Sequence, residues 1–191
     1  VDVINQAVSY GLKVVAENKV QEFRDKHGLI NGAREHFIGH LQTNKVKYLV
    51  GNVELIHSVD SVHLAEEINR QAEKKGIVQD VLIEINIGGE LSKSGFFPDN
   101  AIENVIAIAE NFKSLSVKGL MAMLPHSYDE KLLQSLAKKM RALYDSLKNQ
   151  GLPFIYLSMG MSQDYEIAIK NGSNMIRLGR TIFGERNYGD K

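Results

Sequence analysis

Short runs of apolar and β-branched residues recur along the whole chain, separated by stretches with helical periodicity. Seven such runs predict β-strands, at residues 13–16, 36–38, 54–57, 81–87, 117–123, 154–158 and 175–178. Between two of them, Leu64, Ile68 and Ala72 recur at the spacing of one helix face. Glycines stand where helix C-caps are expected, at Gly76, Gly151 and Gly172. The pattern therefore predicts strands and helices in alternation.

This alternation predicts an α/β fold with a parallel sheet and right-handed crossovers. Two architectures satisfy it, an open doubly wound sheet and a closed TIM-type (β/α)8 barrel. An open sheet predicts a GxGxxG turn after its first strand, and the sequence contains none, so the barrel is favoured. The chain opens with a helical pattern over Val1, Ile4, Ala7 and Val8, with no strand before it. We therefore expect a barrel lacking its first helix and first strand, as a single N-terminally incomplete domain over residues 1–191.

Composition narrows the choice of partners. The 191 residues include 23 Lys plus Arg and 23 Asp plus Glu, so no net charge attracts nucleic acid or an anionic membrane. The absence of cysteine excludes disulfides, thiolate catalysis and zinc held by sulfur, and it fits a reducing compartment. The longest apolar runs are too short to span a bilayer, and the N-terminus has no signal-peptide pattern. We expect a cytoplasmic protein without nucleic-acid or membrane partners.

Other polar constellations predict neither a metal site nor an acid–base pair. His36 and His40 are four residues apart, but the β-like run around them argues against the helical pairing of a zinc site. Carboxylate pairs such as Glu84 and Glu90 have no partner that would set an acid apart from a base. The basic amphipathic run 131–150 fits a membrane-surface or partner helix, but its place between two strands favours an outer barrel helix.

The segment 157–186 combines glycines, a serine and arginines between apolar runs. In a TIM-type barrel, the loops after the last two strands commonly bind phosphate. Ser162 is predicted to cap a helix starting near Gln163, where backbone N–H groups attract an anion and Gly160 allows close approach; a plain structural cap is the alternative. Alternation in the last predicted strand points Arg177 into the barrel. Burial there requires either a carboxylate or an acceptor atom of a ligand, and the spacing leaves both open.

Six stretches carry a more specific signal: AENKVQEF, HFIGHLQTNK, IHSVDS, LIEINIGGELSKSGF, GLMAM and LSMGMSQD…IRLGRTIFGER. Together they closely resemble the pyridoxal-phosphate homeostasis (YggS/PROSC) family over essentially the whole chain. That family resembles the barrel domain of alanine racemase without its second domain. It binds pyridoxal 5′-phosphate (PLP) as a Schiff base on a lysine of the first strand. The resemblance implies a cofactor carrier without firmly established catalytic activity.

The same resemblance implies a set of cofactor-binding residues. Ser162 and the backbone at Gly179 and Arg180 would hold the phosphate, and Arg177 would face the pyridine nitrogen. The remaining positions would shape the wall of the site or lie near the ring: Met159, Gly160, Asn18, Asn86 and Met121.

The chain departs from the family at the lysine. The family's "V-S-K-T"-like motif would lie before Val1, so no catalytic residue is assigned. Lys93 follows a strand and Lys13 begins one at the opposite end, so neither is a substitute. We expect a truncated or partly observed chain.

Three functions remain open: a PLP carrier or buffer, a small PLP-dependent racemase-like enzyme, and a phosphate-binding barrel acting on another substrate. The carrier is favoured because no second domain supplies the opposing base that the racemases use. The expected partners are PLP or a phosphate or sulfate anion, together with apoenzymes that accept PLP transiently. The expected assembly is a monomer or weak dimer.

Overall fold

The computed structural model describes residues 1–184. Its strands are β1 (Val14–Glu17), β2 (Arg34–Phe37), β3 (Leu55–Val59), β4 (Gln79–Ile85), β5 (Leu115–Ala122) and β6 (Tyr156–Met159). Its helices are α1 (Asp2–Ser9), α2 (Val20–Lys26), α3 (Val62–Lys75), α4 (Pro98–Asn111), α5 (Glu130–Asn149), α6 (Tyr165–Lys170) and α7 (Arg180–Phe183), with a 3₁₀ helix at Thr43–Tyr48. The predicted alternation of strands and helices is confirmed.

The six strands form one parallel sheet in the order in which they occur along the chain. Each pairs with the next, as Ala16 does with His36, Ile56 with Val81, and Met121 with Ser158. The sheet is curled into a half-barrel, as expected for part of a TIM-type barrel. All strands point the same way, so their carboxyl ends meet at one rim.

Alternation along the strands divides the apolar residues between two faces. The outer face packs against the helices in one large core that includes Ile56, Ile83, Leu120 and Leu157. The inner face carries a smaller cluster, formed by Leu55, Leu82 and Met121 with Tyr156 and Met175 packed against it. The half-barrel therefore has an apolar floor, and polar residues lie above it towards the carboxyl rim.

Helix ends follow the signals expected from the sequence. Ser61 Oγ accepts from the N–H of Leu64 over 3.3 Å at the start of α3, and Gly76 ends this helix in the left-handed conformation. The run 131–150 forms the outer helix α5, whose apolar face is buried against the sheet, as predicted. No helix within residues 1–184 has the length and apolar character needed to cross a membrane.

The seventh predicted strand, 175–178, is wrong as an element. Met175 makes one parallel bridge with Ser158, accepting from Met159 N over 3.0 Å, and the pairing stops there. The Arg177 N–H then donates to Gly160 O over 2.9 Å instead of to Met159 O, and the Ser173 hydroxyl lies 2.7 Å from Met159 O. This one-residue slip ends the ladder, leaving six strands in the described part of the chain.

Candidate functional site

Polar side chains replace apolar ones on the inner face near the carboxyl ends of the strands. His57 on β3, Glu84 on β4 and Ser158 on β6 are 1%, 4% and 0% exposed. Arg177, from the segment after β6, reaches the same region, where it bonds to Ser158 and to the carbonyl oxygen of Ala122 on β5. The inner rim is therefore a buried polar region above an apolar floor.

Arg177 is the central cation of this region. Its Nη1 donates to Ser158 Oγ over 2.7 Å and its Nη2 donates to Ala122 O over 2.9 Å. Burial lowers the pKa of Arg177 to about 10, while the charges of Glu84 and Asp164 raise it. The guanidinium thus stays protonated at neutral pH. Among residues 1–184 it forms no ion pair, and its remaining N–H groups have no acceptor.

Two buried histidines continue the contacts of Ser158 across the sheet. His57 Nδ1 lies 3.1 Å from Ser158 Oγ, and His57 Nε2 lies 3.1 Å from His36 Nδ1. Burial lowers the pKa of His57 well below its usual value, assisted by the charges of His36 and Arg177. Burial also lowers the pKa of His36. Both imidazoles are therefore neutral near pH 7.

Glu84 supplies a carboxyl group to the same rim. Its side chain is almost fully buried, and no donor in the described part of the chain bonds to its carboxylate. Burial, together with the charge of Asp60, raises the pKa of Glu84 to about 7, and the charge of Arg177 acts in the opposite direction. Glu84 therefore changes charge near neutral pH.

Ser162 does not cap a helix, and this prediction is wrong. Helix α6 begins at Tyr165, and the residue before it is Asp164, whose Oδ1 accepts from Met161 N over 2.6 Å. Ser162 is half-buried in the turn between Met161 and Asp164. Its backbone N–H has no acceptor among the described residues. An acidic residue at the helix start thus takes the place predicted for the serine.

Gly160 is required by the fold. Its φ is +104°, and a Cβ there would lie 2.7 Å from Ala168 Cβ and 3.0 Å from Tyr165 Cα. Glycine therefore allows α6 to pack directly against the end of β6. The group that approaches Gly160 in the structure is α6, and the predicted approach of an anion to its backbone stays a prediction.

Gly179 immediately precedes the short helix α7, and Arg180 is its first residue. The φ of Gly179 is −117°, which any residue adopts, and a Cβ there would meet no atom within 4 Å. The backbone N–H groups of both residues have no acceptor within residues 1–184. Neither the conformation nor the packing of the chain therefore requires glycine at position 179.

The other predicted residues occupy different surroundings. Met121 lies in the apolar floor, and Met159 is fully buried at the end of β6. Asn86 Nδ2 donates to Glu90 O over 2.8 Å, so its amide holds the loop that follows β4. Asn18 is exposed at the carboxyl end of β1. Strands β5 and β6, which carry Met121 and Met159, both contact Arg177, whereas Asn18 lies at the periphery of the site.

The pair His36 and His40 does not form a metal site. His36 is buried on the inner face, whereas His40 is exposed and its Nδ1 lies 3.4 Å from Asp60 Oδ2. No group of three His, Asp or Glu side chains in the described part of the chain is placed to hold a metal ion.

Sequence reasoning missed His57 and Ser158, and it considered Glu84 only as part of a carboxylate pair. The signal was present in LIHSV and YLSM, where a polar residue occupies an inner position of an otherwise apolar strand. Their convergence on Arg177 depends on three strands that are far apart in sequence, so it could only be read from the fold.

Comparison with known proteins is consistent with this architecture. The family model for the N-terminal domain of alanine racemase matches residues 1–187. The pyridoxal phosphate homeostasis protein of Aquifex aeolicus is 45% identical over 192 residues, covering 98% of this chain and 83% of that protein. PipY of Synechococcus elongatus, solved with PLP bound, superposes with a TM-score of 0.86 at 29% identity, covering 96% of this chain and 87% of PipY.

A more distant structure shares the fold alone. Alanine racemase of Clostridium difficile superposes with a TM-score of 0.84 at 16% identity, covering 98% of this chain and 49% of the racemase. The family model spans nearly the whole chain, and the Aquifex protein matches it along most of both lengths. The chain therefore belongs to the alanine racemase N-terminal domain family and, within it, to the family of the pyridoxal phosphate homeostasis proteins.

Proposed function

We propose that this chain binds PLP at the carboxyl rim of the half-barrel and acts in PLP homeostasis as a carrier or buffer. The observation that carries the proposal is Arg177, a half-buried residue whose desolvated guanidinium has no ion pair in the described residues. A buried guanidinium with unused N–H groups is costly unless an acceptor meets it. A ligand that carries a hydrogen-bond acceptor therefore satisfies the unused N–H groups of Arg177.

The pyridine nitrogen of PLP is an acceptor of this kind. A guanidinium donates hydrogen bonds and accepts none, so Arg177 pairs with the nitrogen lone pair and disfavours a proton on it. The apolar floor around Met121 and Leu82 offers a surface for the ring. The residues present therefore fit a planar aromatic group with one ring acceptor.

The phosphate fits the backbone at the other end of the site. The N–H groups of Ser162, Gly179 and Arg180 have no acceptor within residues 1–184. The space in front of Gly179 is open, and a side chain there would fill it. We assign the phosphate to this backbone, with Met159 and Gly160 forming the wall behind it and with Asn18 and Asn86 at the edge.

The same residues favour a carrier over an enzyme. Bound PLP supplies an aldehyde and an electron-withdrawing ring, and the ring withdraws electrons best when its nitrogen is protonated. Arg177 opposes that protonation, whereas a carboxylate in its place would support it. The chain thus holds the reactive group without activating it. A small racemase-like enzyme is the alternative, and Glu84, with its pKa of about 7, is the group that would favour it.

A PLP carrier also requires partners that accept the cofactor and a compartment in which they occur. We infer transient transfer of PLP to apoenzymes that use it, by a single binding domain acting as a monomer or weak dimer in the cytoplasm. The absence of cysteine is compatible with that compartment.

The test is binding of PLP, pyridoxal, inorganic phosphate and a sugar phosphate to the chain, measured by equilibrium dialysis. One equivalent of PLP should bind more tightly than pyridoxal or phosphate alone. The PLP-loaded protein should neither racemise nor transaminate L-alanine. Tighter binding of the sugar phosphate than of PLP would overturn the assignment of the ligand, and racemisation would overturn the carrier role.

A further inference from the structure

The proposed function leaves two buried histidines without a role. His57 and His36 are 1% and 2% exposed, and they extend from Ser158 to Glu54, whose side chain is partly exposed at the sheet surface. Burying two imidazoles is costly unless their nitrogens are satisfied. Together with Arg177 they form a continuous series of contacts, which we call the histidine chain: Arg177, Ser158, His57, His36 and Glu54.

Hydrogen-bond chemistry gives the histidine chain one favourable direction. Because a guanidinium only donates, Ser158 Oγ accepts from Arg177, and the Ser158 hydroxyl can then donate to His57 Nδ1. His57 consequently carries its proton on Nε2 and donates to His36 Nδ1 at 3.1 Å.

The Glu54 end of the histidine chain supports the same direction of hydrogen bonding. His36 then also carries its proton on Nε2, which lies 3.7 Å from Glu54 Oε1. This nitrogen is buried and has no hydrogen-bond partner in the described residues, so the carboxylate is the charge it faces. In the opposite direction a bare lone pair on Nε2 would face that carboxylate, which is repulsive. Glu54 is itself held by Arg34 Nη1 at 3.0 Å.

The direction matters because Ser158 otherwise has two ways to bond. A serine hydroxyl rotates freely, but a neutral imidazole acceptor at Nδ1 fixes its hydrogen away from Arg177. The oxygen lone pairs then face the guanidinium, and Nη1 and Nη2 are fixed between Ser158 and Ala122 O. The unused N–H groups are thereby fixed in orientation as well.

We propose that His57 and His36 are positioning residues that act through Ser158 to aim the free N–H groups of Arg177 at the ring nitrogen of the bound ligand. The inference rests on the proposed PLP function and assigns a task to residues that do not touch the ligand. It predicts that His57 controls recognition of one ligand atom. A purely structural role for His57 would affect all ligands alike.

The experiment compares PLP with its analogue in which the ring nitrogen is replaced by C–H, using the full chain and equilibrium dialysis. Wild-type protein should prefer PLP by about tenfold, the value of one charge-assisted hydrogen bond. His57→Leu should reduce this preference to within about twofold while leaving affinity for the analogue nearly unchanged. His57→Asn, which can keep an acceptor near the Nδ1 position, should restore part of the preference. His63→Leu, at an exposed histidine of α3, is the matched control and should behave as wild type.

A second measurement needs no ligand and no destabilising variant. Nitrogen-15 spectra of the imidazoles should show His57 and His36 unprotonated at Nδ1 and protonated at Nε2. A proton on His57 Nδ1 would overturn the proposed direction. Equal loss of both ligands in folded His57→Leu, or retention of the full preference, would overturn the positioning role.

PLP binding and the positioning role of His57 are contradicted by different results. If wild-type protein binds neither ligand, the proposed function fails and this inference fails with it. If wild-type protein binds both equally, PLP binding survives, but Arg177 does not read the ring nitrogen and the positioning role is overturned.

Discussion

The guanidinium of Arg177 donates to the Ser158 hydroxyl over 2.7 Å, joining the segment after β6 to the inner face of β6 itself. Ser158 lies near the carboxyl end of β6, Arg177 belongs to the segment that follows, and the neighbouring polar groups are His57 and Glu84. The contact fixes a half-buried cation at the rim and leaves some of its N–H groups without an acceptor in the described residues.

Replacing Arg177 should weaken PLP binding more than it weakens folding. Arg177→Met removes a charge-assisted hydrogen bond worth about 1.5–3 kcal/mol, so the Kd for PLP should rise roughly tenfold to a hundredfold. Arg177→Lys should recover only part of the affinity because an ammonium cannot keep both protein contacts and the ligand contact. Equilibrium dialysis and thermal melting give the two readouts. Unchanged affinity in folded Arg177→Met would remove the basis of the proposed function.

Gly179 and Gly160 should respond oppositely to the same substitution. Gly179→Ala should leave stability within about 0.5 kcal/mol of wild type, because its φ is permissive and its Cβ has open space. It should nevertheless weaken PLP binding relative to pyridoxal binding, since the methyl group enters the space assigned to phosphate. If Gly179→Ala binds PLP as wild type does, the phosphate lies elsewhere.

Gly160→Ala is the matched control for that experiment. The methyl group would lie 2.7 Å from Ala168 Cβ at a residue whose φ is +104°. We expect a loss of roughly 1–3 kcal/mol in unfolding free energy by urea denaturation. A stability equal to wild type would contradict the tight packing of α6 on β6.

Glu84 should make the protein less stable as pH rises from about 4.5 to about 7. In this window the unfolded state has lost the proton that the folded state retains, because the folded pKa of Glu84 is raised to about 7. The corresponding loss of unfolding free energy is about 3 kcal/mol and is complete above pH 7. Glu84→Gln should therefore gain stability relative to wild type across this window. The measurement is urea denaturation at a series of pH values.

The exposed Glu66 of α3 provides a control for the substitution itself. Glu66→Gln should change the unfolding free energy by less than about 0.5 kcal/mol. A flat difference for Glu84→Gln would contradict the burial of the Glu84 carboxyl beside Asp60.

Asn86 should stabilise the loop over residues 87–95. Its Nδ2 donates to Glu90 O at 2.8 Å and to Lys93 O at 3.2 Å, and its Oδ1 accepts from Glu90 N at 3.2 Å. Asn86→Ala should cost about 1–3 kcal/mol and speed hydrogen exchange in this loop. Asn104→Ala removes one exposed contact on α4 and should change stability by less than about 0.5 kcal/mol. Equal exchange rates in the two variants would contradict the role of Asn86.

The sequence by itself determined most of the secondary structure and the type of fold. Apolar runs such as VLIEI and helical faces such as that of α3 are local patterns, because each can be read from consecutive residues of one element. Parallel strands joined by helices then lead to a curled sheet whose carboxyl ends share one rim. The predicted inward direction of Arg177 agrees with its contacts to Ser158 and Ala122, although the strand from which it was predicted does not form.

The tertiary structure decided what that arginine contacts and where the pattern breaks. The ladder ends at Met159, because the Arg177 N–H bonds to Gly160 O, so residues 175–178 do not form a strand; helix α6 begins after Asp164 and not after Ser162. Ser158 and His57 are 101 positions apart, and no local spacing predicts that their side chains lie 3.1 Å apart. Such contacts depend on the register of several strands at once. The backbone of each strand follows from its own residues, whereas the chemistry of the rim arises only where the strands meet.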